Sequence, residues 1–345
     1  MRKLESTVTP PAATAADDIA IRVDHVTKTF AQWQRGSTGA GSIRNLFKIE
    51  KKLITAVDDV SFTVRRGEFV AYAGPNGAGK STTMKMLSGM LVPSGGSVSV
   101  LGMSPQRDRI ELMKRLGMLF GNRTELWWDH PVIQSYEWKK VVWDIPDEVY
   151  RRNLEMVTEL LELEELVATF ARELSLGQRM RADLGMLLLH EPEVILLDEP
   201  TLGLDVVAKR QMIAFLKRIN RERGVTILVT SHDMDDLEEM AQRIVMIAGG
   251  KLAYDGSFDG LREITGSLTQ FAVTVDGGEI PELEGCRLIG GQHGVYEYEA
   301  DLTKMPVAGL LEKLAKIEGI RDVEIRRAPI EQVIGELYRR WKRNG

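Results

Sequence analysis

Short apolar runs alternate with amphipathic stretches through most of this chain. Residues 19–30 are rich in β-branched side chains and read as a strand. Residues 56–64 and 68–73 read as two more, and 95–101 as another after a Pro-Ser-Gly-Gly turn. Residues 116–120, 194–197 and 225–230 are brief apolar runs, the pattern of strands covered on both faces in a parallel sheet. Helices are expected over 80–90 and about 207–223. Strand and helix in alternation imply a parallel sheet with crossover helices, an α/β fold.

The period changes between about 123 and 190. There Val149, Leu154, Val157, Leu160, Leu161 and Leu163 fall at helical spacing over 148–166. This stretch predicts a helical subdomain inserted into the sheet. After about 262 the character changes again. Residues 270–275, 286–289, 295–300 and 323–327 read as short strands, with helices over 306–317 and 330–341. Together they predict a small α+β appendage over 266–345, following a main domain over 19–265.

Two segments fit neither pattern. Residues 1–18 hold Pro10, Pro11 and several Ala and Thr, with no apolar centre. They read as a disordered leader rather than a secretory signal. Residues 31–52 form an insert that begins Gly- and Ser-rich and turns basic and apolar at Ile43, Arg44, Leu46, Phe47, Lys48, Ile49, Lys51 and Lys52. Its second half has the spacing of a short amphipathic helix. Two readings stay open for it, a solvated surface excursion and a contact with a membrane surface or membrane partner.

Composition narrows the picture only slightly. A length of 345 residues with 43% apolar side chains suits one large domain plus a smaller one. The formal net charge of -5 argues against a nucleic-acid binder, and no nucleic-acid partner is expected. Cys286 is the only cysteine, so no intramolecular disulfide forms, which suits a reducing compartment. No apolar run approaches the ~18 residues that span a bilayer, so any membrane role runs through a partner.

The chemistry sits in motifs. Residues 74–82 read G-P-N-G-A-G-K-S-T, between a strand and a helix. A chance match to G-x-x-x-x-G-K-[ST] in a chain of this length is on the order of one per cent. Gly74, Gly77 and Gly79 free the backbone to approach phosphates. Successive N–H groups and the helix N-terminus then face the anion, across Pro75, Asn76, Ala78 and Thr82. Lys80 reaches the β- and γ-phosphates, and Ser81 offers a hydroxyl to Mg²⁺. Downstream, V-I-L-L-D-E-P ends a buried strand in Asp198 and Glu199. Ligands sit at such strand ends in open α/β sheets. Asp198 suits support of Mg²⁺, and Glu199 suits activation of an attacking water.

Leu174-Ser-Leu-Gly-Gln178 lies upstream of that acidic strand end and closely resembles the signature of ABC ATPases, usually L-S-G-G-Q. With the phosphate loop and the acidic pair, it makes the chain similar to the ATP-binding subunit of ABC transporters over roughly 19–265. The resemblance implies a P-loop NTPase core, ATP and Mg²⁺ as ligands, and a head-to-tail dimer with a second copy or a paralogue. In that dimer Ser175, Leu176, Gly177 and Gln178 would act on ATP held by the partner. Leu176 departs from the family glycine. Thr201-Leu-Gly-Leu-Asp205 looks like the loop joining the two sites, with Asp205 its acidic end. His232 matches the switch histidine at the γ-phosphate. Phe30 resembles the adenine-stacking aromatic, or else belongs to the core. The family's glutamine loop follows the strand 116–120, where Asn122 would stand in as a metal contact.

The same resemblance implies polytopic membrane subunits as partners and a peripheral place on the cytoplasmic face of the membrane. Trp127 and Trp128 fall where the membrane subunit docks, and two readings stay open: one of the two is exposed for docking, or both pack under the helical subdomain. The run L-S-L-G-Q-R-M-R, the D-E-P-T-x-G-L-D motif and the appendage look most like the drug- and lipid-export branch. Two other classes stay in view. A soluble ABC ATPase of ribosomes or chromosomes usually carries two such domains or a long coiled coil, and this chain shows neither. A weakly active regulatory subunit rests on Asn122 and Leu176 alone.

Overall fold

Two long strands open the chain, β1 (Ile19–Arg35) and β2 (Ile49–Arg65). β3 (Phe69–Ala73) leads into α1 (Lys80–Leu87), followed by β4 (Gly95–Val100), α2 (Arg109–Met113) and β5 (Leu116–Phe120). The helical region holds α3 (Val132–Val142), α4 (Asp147–Leu160) and α5 (Leu176–Leu188). Then come β6 (Val194–Asp198), α6 (Val206–Arg223), β7 (Thr226–Thr230), α7 (Met234–Met240), β8 (Arg243–Ala248) and β9 (Lys251–Ser257). This computed structural model describes residues 18–35, 49–120, 123–265, 268–276, 283–292, 294–301, 305–317 and 319–327. Residues 1–17 of the leader, 36–48 of the insert, Asn122 and the helix expected over 330–341 lie outside the described residues. The chain divides into two compact units, one through Asp255 and one from Gly256.

The first unit is an α/β fold with two sheets. Six strands in the order β5-β6-β7-β3-β8-β9 make the larger one, parallel from β5 through β8. β3 and β7 are buried at every residue, because helices or the second sheet cover both faces. The second sheet is antiparallel, in the order β2-β1-β4. Its Ile21, Val26, Val60 and Phe62 share one core with Tyr72 of β3, Leu228 of β7, and Met84 and Leu87 of α1. That core anchors α1, and with α1 the phosphate loop.

Four sequence expectations need correction. The insert does not leave the sheet at residue 31. Pairing of β1 with β2 continues through Ala31↔Leu53 and Gln32↔Lys52 to Arg35↔Ile49, so both flanks are strand. Residues Ile49 to Lys52, assigned to an amphipathic helix, are extended because each finds a backbone partner across the hairpin. The helix expected to reach residue 166 stops at Leu160. Glu162 takes a left-handed φ of 52°, and the turn drops Leu163 into the core at 0% exposure. No glycine announces that stop. α1 ends at Leu87 rather than Met90, since the chain turns at Gly89, where a side chain would strike the carbonyl of Pro105.

The first helix of the second unit is α8 (Phe258–Thr265). β10 (Leu268–Val275), β11 (Cys286–Gln292), β12 (Val295–Asp301) and β13 (Ile320–Arg327) form an antiparallel sheet in the order β11-β12-β10-β13. Helix α9 (Val307–Leu314) contributes Leu310 and Leu314 to a core with Phe271, Val273 and Tyr298. The Phe271 and Tyr298 rings stack at 5.4 Å.

Within the first unit α5 packs against α3 at Gly185. A Cβ there would lie 2.4 Å from the Tyr136 hydroxyl, which itself donates to the Ala182 carbonyl at 2.6 Å. Glycine in mid-helix is otherwise unfavourable, so close approach explains it. Gly185→Ala is expected to destabilise the protein by about 1–3 kcal/mol, the usual scale of overpacking. In denaturant unfolding, Tyr136→Phe in the same background should recover part of that loss.

Candidate functional site

Buried strand β3 delivers the phosphate loop to one edge of the parallel sheet. A Cβ on Gly74 would meet the Ile247 carbonyl at 2.4 Å, and one on Gly79 would meet that of Ala56 at 2.5 Å. Gly79 also has a φ of 111°, so both space and conformation require glycine there. Gly77, by contrast, has nothing within 4 Å on its Cβ side. The loop is thus packed from behind and open in front. Gly79 starts α1 without any side-chain cap, which leaves the first-turn N–H groups for an anion.

Lys80 is only 7% exposed, and its ammonium donates to the Gly74 carbonyl at 2.6 Å. Burial pulls its pKa down, while the charges of Glu199 and Asp198 pull it back up. A cavity of about 340 Å³ joins Ser81, Asp198 and Glu199 with Lys85, Phe120 and Arg123. A second, of about 330 Å³, runs over the loop from Pro75 to Thr82 and also reaches Glu199.

β6 and β7 end side by side in parallel register, with Asp198 opposite Thr230. The Thr230 hydroxyl donates to Asp198 Oδ1 at 2.6 Å and accepts from the Glu199 N–H at 3.1 Å. The same N–H also donates to the Thr230 carbonyl at 3.1 Å. Glu199 has a φ of 56°, the left-handed region that costs a non-glycine residue of order 1–3 kcal/mol. His232 lies just past β7, with Nδ1 3.6 Å from Glu199 Oε2. Lys80, Ser81, Asp198, Glu199 and His232 therefore converge at one sheet edge.

The donors present suit Mg²⁺ with a nucleotide. They are oxygen groups, a hydroxyl and two carboxylates, the hard ligands this ion takes, and they share the cavity with room for waters and phosphate. Among the described residues no three His, Cys, Asp or Glu side chains make a closed metal cage. An ion shared between Ser81, Asp198 and a phosphate needs none.

Ser175 caps α5. Its hydroxyl accepts from the Gln178 N–H at 3.2 Å, and the Gln178 side chain returns to the Ser175 N–H at 2.9 Å. Leu176 is 39% exposed and packs over Gly203, where a Cβ would meet its Cδ2 at 2.9 Å. A Cβ on Gly177 would meet Ala208 at 3.1 Å. Asp205 caps α6 by accepting from Ala208 N–H at 2.8 Å. These residues line neither cavity at the phosphate loop.

Phe30 is exposed on β1 under the Lys28 ammonium, 5.3 Å from the ring centre, so it is not a core residue. Trp127 and Trp128 are also exposed, at 39% and 51%. The reading that packs both under the helical subdomain fails. Trp127 leans on Trp138, and Trp128 lies against the guanidinium of Arg179.

Several residues here escaped sequence reading. Thr230 ends an apolar run, and only its pairing with β6 reveals a role. Lys209 bridges Asp233 at 2.7 Å and Asp236 at 3.0 Å, while Thr201 donates to Asp236 at 2.9 Å. That cluster ties the loop after Glu199 to the helix after His232. Arg123 lines the acidic cavity one position beyond Asn122. Asp183 on α5 accepts from the Thr124 hydroxyl at 2.8 Å and the Glu125 N–H at 3.1 Å.

Residues 57–202 match the family model described as ABC transporter. The ABC transporter ATP-binding protein NatA of Bacillus subtilis is 30% identical over 217 residues, 63% of this chain and 88% of NatA. YhcH of the same organism, another ABC transporter ATP-binding protein, is 36% identical over 198 residues, 57% of this chain and 64% of YhcH, just under two thirds of its length. Among solved structures, a dimeric post-hydrolysis state of the cassette MJ0796 bound to ADP and Pi superposes with a TM-score of 0.57 at 24% identity, covering 69% of this chain and 98% of that one. Other matches carry names of import systems, such as the methionine import ATP-binding protein MetN of Latilactobacillus sakei. The fold is that of an ABC ATPase cassette, and the chain belongs to the family of ABC transporter ATP-binding proteins.

The Asp183 link gives a pH test. Burial, above all, raises its pKa from 3.8 to about 7, against the lowering pull of the Thr124 hydroxyl. Between those values the folded state holds a proton that the unfolded chain has released, so stability falls as pH rises through this window. Asp183→Asn keeps an acceptor for Thr124 and removes the titration. Its unfolding free energy should gain on the parent by up to about 1.4 kcal/mol per pH unit across the window, then level off. Urea unfolding at several pH values checks it.

Proposed function

We propose that the chain is the ATP-hydrolysing subunit of an ABC transporter, powering translocation through polytopic membrane subunits. The observation that carries this is the convergence of Lys80, Ser81, Asp198, Glu199 and His232 at one edge of the sheet. Gly74 to Thr82 wrap the phosphates, with Lys80 as the fixed positive charge beneath them. Ser81 and Asp198 hold Mg²⁺, with Asn122 as a further contact. When bound, Mg²⁺ neutralises charge that builds on the phosphate oxygens. Glu199 accepts a proton from the attacking water, and His232 faces both Glu199 and the γ-phosphate. Phe30 offers an exposed ring to adenine.

Two copies, or this chain and a paralogue, close head to tail. Ser175, Leu176, Gly177 and Gln178 then face the nucleotide of the partner, which accords with their lining neither cavity of their own chain. Asp205 ends the loop that links the two sites. Loss of the γ-phosphate removes the cross-dimer contact and lets the pair open. The exposed Trp127 and Trp128 supply the membrane subunit's docking surface. Among the described residues no helix is long and apolar enough to cross a membrane. Membership of the ABC transporter family is what supports a peripheral place on the cytoplasmic face. Export is the direction favoured, on the signature run and the second unit, although some relatives are named for import.

Glu199→Gln tests the site. With MgATP the variant should hydrolyse about 10²–10⁴-fold more slowly, the range expected on losing a general base. It should also accumulate as a nucleotide-bound dimer in light scattering. A folded variant that stays monomeric with ATP would sink the head-to-tail arrangement. Affinity purification from detergent-solubilised membranes tests the partner. Polytopic subunits should co-purify, and recovery of ribosomal or chromosomal proteins in their place would overturn the transporter reading.

A further inference from the structure

We infer that Thr230 is a positioning residue for nucleotide hydrolysis, its hydroxyl setting the metal-side carboxylate of Asp198 and the strained backbone of Glu199 together. The inference rests on the site proposed above and adds a residue that lies in none of its motifs.

Three observations support it. Thr230 is fully buried at the end of β7, so its hydroxyl cannot exchange partners with water. That hydroxyl donates to Asp198 Oδ1 at 2.6 Å, a short bond to a charged acceptor. Its proton is committed there, and its lone pair accepts from the Glu199 N–H at 3.1 Å. One side chain therefore fixes two consecutive residues with distinct tasks. Asp198 is left with its second oxygen for the ion. Glu199 is held at a φ of 56°, a conformation that the surroundings must enforce.

A valine in place of Thr230 keeps shape and volume and removes both bonds. The Glu199 N–H would retain only the Thr230 backbone carbonyl at 3.1 Å. Asp198 would lose its one side-chain donor among the described residues and could rotate. The consequence falls on the ion and on Glu199 rather than on the phosphate loop, because both bonds of the Thr230 hydroxyl go to Asp198 and Glu199.

The experiment compares the full-length chain with Thr230→Val and Thr230→Ser. Nucleotide affinity is measured by titration calorimetry with ATP in EDTA and again with Mg²⁺, and steady-state hydrolysis is followed across Mg²⁺ concentrations. For Thr230→Val, affinity in EDTA should match the parent. The gain in affinity on adding Mg²⁺ should shrink, and kcat should fall, each by about tenfold or more, the scale of a lost hydrogen bond to a charged group. Thr230→Ser should restore both. A Thr230→Val protein with the parent's Mg²⁺ gain and kcat would overturn the inference and leave the site intact. Equal loss in both variants would also overturn it, because packing and not the hydroxyl would then be at work. A parent chain that binds ATP no better with Mg²⁺ and does not hydrolyse it would instead refute the proposed site itself.

Discussion

The register of three parallel strands governs the chemistry of this molecule. β3, β6 and β7 pair so that Ala71 lies opposite Val229 and Asp198 opposite Thr230. Their C-terminal ends therefore emerge together, carrying the phosphate loop, the acidic pair and the histidine. Side chains along a strand alternate between faces, so a slip of one residue would turn Asp198 away from Thr230 and from the cavity. The register is set by burial. Val194 to Leu197 and all five residues of β7 are buried in the observed pairing, and Asp198 is the first residue of β6 to emerge. The apolar interior of the sheet fixes the geometry of a polar edge that contributes little burial itself.

That edge concentrates unfavourable features. Lys80 is largely removed from water, Glu199 sits in left-handed backbone, and two carboxylates lie near each other. Each is offset locally. The Lys80 ammonium has a carbonyl partner and the field of both acids. Glu199 has two acceptors for its N–H, both on Thr230. The loop beyond is tied to α7 through Lys209, Asp233, Asp236 and Thr201, with Asp236 only 5% exposed. A half-buried charge cluster of this kind contributes little net stability, since desolvation offsets the attraction. It does restrict the loops after Glu199 and after His232 to moving as one.

Sequence reading reached whatever the backbone demands of a residue type. Gly74 and Gly79 are readable because any side chain there strikes a carbonyl. Ser175 to Gln178 are readable because the signature is one contiguous run. The strands are readable because a doubly covered strand must be apolar. What it missed depends on distant parts of the chain meeting. Thr230 is one more residue in a β-branched run until β6 lies beside it. The hairpin of β1 and β2 runs into the insert because the partner strand is there, which basic and apolar spacing over 43–52 cannot foretell. Glu162 ends α4 without glycine or proline, because Leu163 gains a buried position that outweighs a left-handed residue. The exposure of Trp127 and Trp128 depends on which neighbours α3 and α5 supply.

The segment from Phe120 to Trp128 shows how such contacts join separate parts of the first unit. At one end Phe120 and Arg123 line the cavity with Ser81, Asp198 and Glu199. In the middle, Thr124 and the Glu125 N–H are bonded to Asp183, about two turns into the helix that Ser175 caps. Glu125 also holds Lys139 of α3 at 3.3 Å, a lysine only 3% exposed. At the other end the two tryptophans are open to solvent. Buried polar contacts exchange partners only at a cost of about 1–3 kcal/mol for each group left unsatisfied. The Asp183 bonds therefore fix residues 124 and 125 to α5, between the acidic cavity and the two exposed tryptophans.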